Sequence, residues 1–138
     1  MIAVIFEVEP KRERFDDYLR IAGSLRGDLE KVDGFISIER FESLSQPGKI
    51  LSLSFWRDEE AVRSWREHDR HRNAQEKGRR EIFLDYRLRV ATIIRDYGMF
   101  ERGQAPRAFA PLERPAVEAS SRRGLGSKST KLVASRED

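Results

Sequence analysis

The first strand constrains this chain more than any other stretch. Residues 2–8 are mostly apolar and β-branched, with Ile2, Val4, Phe6 and Val8 on one face. Ala3, Ile5, Glu7 and Glu9 form the other face, apolar at its beginning. A strand patterned in this way is covered on both sides over much of its length. Pro10 then suits the first position of a helix, where its missing N–H has no helical partner anyway. Phe15, Tyr18, Leu19, Ala22, Leu25 and Leu29 follow at helical spacing and predict an amphipathic helix of about five turns. After Asp33-Gly34, alternation over Phe35–Glu42, a Gln46-Pro47-Gly48 turn and a second alternating run over Ile50–Trp56 predict a hairpin with a longer loop. Asp58 can cap a second helix, and Glu59 and Glu60 place negative charge where its dipole favours it. Residues 86–97 read as the last strand.

The resulting order, β-α-β-β-α-β, is the α+β, ferredoxin-like arrangement of one antiparallel sheet with two helices on one face. Helices cover only one side of such a sheet, yet Ile5 and Ile93 stand on the other. The simplest second cover is another copy of the same sheet. The pattern therefore predicts a homodimer through the sheet face, with an interface of more than about 2,000 Å².

Charge divides the chain. Residues 1–100 hold 19 Lys/Arg and 19 Asp/Glu, whereas residues 101–138 hold 8 and 5. The folded part offers no field to attract nucleic acid, so nucleic acid is not an expected partner. From Glu101 onward, Pro106, Pro111 and Pro115 and then a Ser/Arg/Gly-rich run predict an extended or disordered basic tail beside a single domain over residues 1–100. The sequence has no cysteine, which excludes disulfides and thiol nucleophiles. No apolar run approaches the roughly 20 residues of a membrane span, and the N-terminus lacks a basic leader, so the expected location is the cytoplasm.

The chemistry concentrates in residues 58–98. Trp65, His68, Arg72 and Gln75 stand at i, i+3, i+7 and i+10, so a continuous helix would put all four on one face. One large ring beside three hydrogen-bonding heads suits the lining of a ligand pocket better than a plain core stripe. A bend is expected near His68-Asp69, a weakening at Gly78, and a further short turn over residues 79–84. His68 or His71 can act as a base near neutral pH, and Arg72 can steady a phenolate or enolate. Trp65 and Phe6 can stack on a planar ring, and Gln75 can orient a carbonyl. Glu7 is either a buried acid or an exposed group paired with an arginine. Structural roles compete with each of these: a core anchor for Trp65, a bend hydrogen bond for the imidazoles, a solvated face for the arginines. His68 and His71 lack a third ligand at a convincing spacing, so no metal is expected.

The element order, the Trp65-x-x-His68-x-x-His71-Arg72-x-x-Gln75 helix and the strand running from Tyr86 to Arg95-Asp96-Tyr97 together resemble the antibiotic biosynthesis monooxygenase (ABM) family over about residues 1–100. The resemblance implies a small dimeric α+β barrel. One group of such proteins oxidises polycyclic phenols to quinones with O₂ and neither metal nor flavin; another degrades heme. The heme-degrading pattern needs an Asn on the first strand and a His ten positions after the tryptophan. Here Glu7 is the polar residue of that strand and Gln75 stands at the tenth position, so two of the three landmarks are absent. No Asn lies near Trp65 either, as the quinone-forming pattern would have it. The expectation is a cofactor-independent monooxygenase acting on a small, electron-rich, aromatic molecule. A non-catalytic dimeric module binding a small hydrophobic ligand, for instance in a stress response, and an acid–base isomerase or cyclase are the alternatives.

Overall fold

The computed structural model describes residues 1–107 and 115–116. Four strands, β1 (Ile2–Pro10), β2 (Phe35–Glu42), β3 (Ile50–Trp56) and β4 (Phe83–Thr92), form one sheet in the order β2-β3-β1-β4. Every neighbouring pair is antiparallel. After β1, a 3₁₀ turn at Arg12–Arg14 leads into α1 (Phe15–Ser24) and α2 (Arg26–Glu30). After β3 come α3 (Glu59–Glu67), α4 (Asp69–Lys77) and a π-helical turn over Gly78–Ile82. This is the α+β order expected, with each predicted helix divided in two.

The last strand begins earlier and ends earlier than the alternation alone suggested. Its partner sets its bounds: Thr92 lies opposite Ile2 and Phe83 opposite Pro10. Just past this ladder the Ile93 N–H donates to the Met1 carbonyl at 3.0 Å. The tail prediction falls outside the described residues from 108 onward, apart from 115–116.

Register places Ile2, Val4, Phe6 and Val8 on the helix side beside Ile50, Ser52, Ser54 and Trp56. Two apolar clusters hold the ends of that face. Ile2, Leu29, Trp56, Ala61 and Trp65 pack at one end, and Val8, Tyr18, Leu19, Ile50 and Ile82 at the other. Between them β3 supplies only Ser52 and Ser54, both buried. Two small hydroxyl side chains where a core would take Val or Leu leave room between sheet and helices. Leu51, Leu53 and Phe55 take the opposite phase and face away from the helices, with Ile5 on β1 and the 42 % exposed Phe41 on β2.

Two local devices fix where α3 begins. Asp58 is extended, and its Oδ1 accepts a hydrogen bond from the Ala61 N–H at 2.9 Å. That bond and the adjacent Arg57 guanidinium hold its carboxyl below the usual range. Gly34 has φ of +91°, and a Cβ there would stand 2.8 Å from the Ala61 Cβ. Only glycine permits both the left-handed turn and this approach of the β2 entry to α3.

Candidate active site

The space left by Ser52 and Ser54 is a cavity of about 390 Å³ between the sheet and the helices. Val4, Phe6 and the two serines floor it, Tyr18 and Leu25 of α1 and its C-terminal boundary close one side, and Trp65 closes the other. Along β4 the wall is open, with Tyr86, Leu88 and Val90 keeping 42 %, 44 % and 47 % of their exposure.

A break in the helix decides which polar groups reach this space. His68 has ψ of 128°, an extended conformation that ends α3 and starts α4. The bend is where the sequence placed it. Its effect is to rotate the second segment, so that His71, Ala74, Gln75, Gly78 and Arg79 face the cavity. Those positions are i, i+3, i+4, i+7 and i+8, one face of a helix counted from His71 rather than from Trp65. Gly78 is needed there, because a Cβ would lie 2.5 Å from the ring of Phe83.

The break also frees the Trp65 carbonyl. It accepts the His68 N–H at 3.0 Å and lies 3.1 Å from His71 Nδ1. A carbonyl can only accept, so Nδ1 carries the hydrogen and Nε2 keeps its lone pair. Burial pulls the His71 pKa down to about 4, with a smaller push from the His68 charge; the bond to the Trp65 carbonyl works against both. His71 is therefore neutral at pH 7. Both imidazoles lie against the indole, His71 at 4.7 Å between ring centroids and 25° between planes, His68 at 5.4 Å and 28°.

Of the residues singled out from sequence, Phe6, Trp65, His71 and Gln75 line the cavity. His68, Arg72 and Glu7 do not. His68 is the hinge itself, with a buried Nδ1 that has no hydrogen-bond partner among the described residues. Arg72 follows His71 on the solvent side of α4 and is exposed. Glu7 points to the opposite face of the sheet, where Arg89 and Lys49 stand 3.5 and 3.9 Å from its carboxylate. Sequence reasoning did not single out Ser52, Ser54, Arg40 or Arg66, and it set Arg79 with Arg72 against a solvated face; all but Arg72 line the cavity. The signal for the serines was present: two hydroxyls in the phase of β3 that also carries Trp56. Among the described residues, no group of three or more His, Cys, Asp or Glu is placed to hold a metal ion.

The family model described as antibiotic biosynthesis monooxygenase matches residues 1–77, which span β1 through α4 and include Trp65, His71 and Gln75. The chain belongs to the antibiotic biosynthesis monooxygenase family. Within that family it is similar to the "Jasmonate monooxygenase ABM" of Pyricularia oryzae, with 55% identity over 93 residues, 67% of this chain and 43% of the relative. The chain thus spans less than half the length of that protein. It is also 34% identical over 93 residues to YqjZ of Bacillus subtilis, 67% of this chain and 79% of that protein. Among solved structures, Rv0793 from Mycobacterium tuberculosis has the same fold, with a TM-score of 0.64 at 16% identity, covering 70% of this chain and 98% of its own. No helix among the described residues of this ABM domain is long and apolar enough to cross a membrane.

Proposed function

We propose that this ABM domain is a monooxygenase that oxidises a small, electron-rich, aromatic molecule with O₂ inside the cavity between helices and sheet. One observation carries the reading. A neutral histidine, its tautomer set by the Trp65 carbonyl, lines an otherwise largely apolar cavity in a chain of monooxygenase lineage. The substrate's activated C–H gives its proton to His71 Nε2, and the carbanion delivers an electron to O₂. The two radicals join as a peroxide anion, which takes the proton back from His71 to give a hydroperoxide; loss of water, with the second hydrogen of that carbon, leaves a carbonyl. The carbon gives up four electrons and O₂ accepts four, so one oxygen ends in the product, the other in water, and no separate reductant is required. Burial makes His71 a weak base at rest, but an anion formed beside it raises its proton affinity and so completes the transfer. Phe6 and Trp65 flank the substrate ring, and Gln75 holds the developing carbonyl oxygen.

O₂ uptake by the metal-stripped full chain, measured against anthrone-like phenols and hydroquinones, tests this. Uptake is expected with at least one of them and should fall about 10²–10⁴-fold in His71→Gln, which can still donate to the Trp65 carbonyl but cannot take a proton. Absence of uptake above the uncatalysed rate with every compound overturns the reading, and turnover without oxygen replaces it with an acid–base isomerase.

The working unit in this proposal is a homodimer joined through the outer sheet face, where Ile5, Leu53, Phe55 and Phe41 form an apolar surface. Sedimentation equilibrium should return twice 16.1 kDa. A monomer at the concentration of the activity assay would refute that part alone.

A further inference from the structure

The cavity lining contains Arg40, Arg66 and Arg79 and not one Asp or Glu. This is unusual for a domain in which acidic and basic residues balance. Arg70 and Arg80, near neighbours of the last two in sequence, are paired with Asp28 and Glu76 at 2.6 and 2.7 Å. Arg66 and Arg79 make no ion pair or hydrogen bond with any described residue. They leave α3 and the π-helical turn on the cavity side, exposed at its rim. Arg40 stands deeper, half-buried on β2 directly across from Ser52 in the row that continues through Phe6 and Leu88. The only histidine in the lining is held neutral by burial. The charge presented to a ligand is therefore positive and comes from guanidinium groups, whose planar fork matches a carboxylate bidentately.

We propose that this cavity selects small organic acids: an apolar ring or chain between Phe6 and Trp65, and a carboxylate held at the rim by Arg66 and Arg79, with Arg40 as the deeper positive group. The proposal rests on the reading of the cavity as the substrate site, and it adds the substrate class. It also bears on the chemistry, because guanidinium groups close to the ligand favour a second negative charge forming in the substrate once the proton leaves.

Isothermal titration calorimetry of the full chain with 1-naphthaleneacetate and with its uncharged methyl ester tests it without reference to oxygen. At low ionic strength the acid is expected to bind about 10- to 100-fold more tightly than the ester, the value of one charge-assisted contact. That advantage should shrink with added salt, since the rim is exposed. It should collapse in the Arg66→Gln/Arg79→Gln double variant, whose urea midpoint should match the wild type because both side chains are exposed. Equal affinity for acid and ester, an advantage untouched by the double variant, or no binding of either compound overturns the proposal. The two readings fail separately: acid preference can stand when no O₂ is consumed, and O₂ uptake can stand when acid and ester bind alike.

Discussion

Trp65→Ala is expected to destabilise the domain by about 3–5 kcal/mol, moving the urea midpoint down by more than about 1 M. Trp65 is 9% exposed and packs into the cluster with Ile2, Leu29, Trp56 and Ala61. Two imidazoles also rest on its ring, and its own carbonyl anchors one of them. Removing the indole therefore opens a core void and loosens the hinge at His68 together. Against a total stability of about 5–15 kcal/mol for a domain, the loss is a large fraction. Lost activity in Trp65→Ala then says little about chemistry, because the cavity wall has gone with the side chain. Trp65→Phe separates the two roles, since it keeps a ring for His71 and most of the apolar volume. The phenylalanine variant should stay folded at a midpoint between the other two. A wild-type midpoint for Trp65→Ala would show that the indole is not part of the core, and the packing argument would fail.

Much of this fold could be read from alternation, because each strand has a phase and each phase a partner. Residues 2–8 announced a strand with its apolar face toward the helices, and the hairpin over 35–56 announced its own turn. The face assignment of β3 was harder. Hydrophobicity alone would send Leu51, Leu53 and Phe55 to the helices, and the structure turns Ser52, Ser54 and Trp56 there instead. Register with β1 settles the matter, since Phe6 sits opposite Ser52 and Val4 opposite Ser54, and both apolar residues face the helices. The cavity follows from this inversion, and no periodicity within β3 could show it.

The site was legible where it depended on residue type and obscure where it depended on angle. Trp65 and His71 were visible as chemistry-bearing residues. One extended backbone torsion at His68 exchanged Arg72 for His71 on the cavity face. A break of that kind alters which side chains face inward by about a quarter-turn of helix for each residue of offset. The sequence offered a bend at this point, but the size of a bend is set by tertiary packing: here the stacking of both imidazoles on Trp65.

His71 makes the stability of the domain depend on pH in a window where exposed histidines do not. Its pKa is pulled from 6.5 to about 4 in the folded chain, chiefly by burial. Between those values the unfolded chain binds a proton at this ring and the folded chain does not. Stability therefore rises with pH across the interval. The contribution is fully present above about pH 6.5 and lost as pH falls through about 4, and a shift of this size corresponds to at most about 3 kcal/mol. Carboxylates also titrate near the lower limit, so the informative quantity is the difference between wild type and His71→Gln. Urea midpoints measured from about pH 7.5 down to 4 should converge or cross as acid is added, because the wild type loses this contribution and the glutamine variant, with no imidazole to protonate, does not. Parallel curves would mean that His71 titrates as an ordinary exposed imidazole and is not held neutral in the cavity. The same shift predicts the activity profile: with a neutral substrate, kcat/KM should not fall near pH 6.5 but only as pH approaches about 4, where the free enzyme's base takes up its proton.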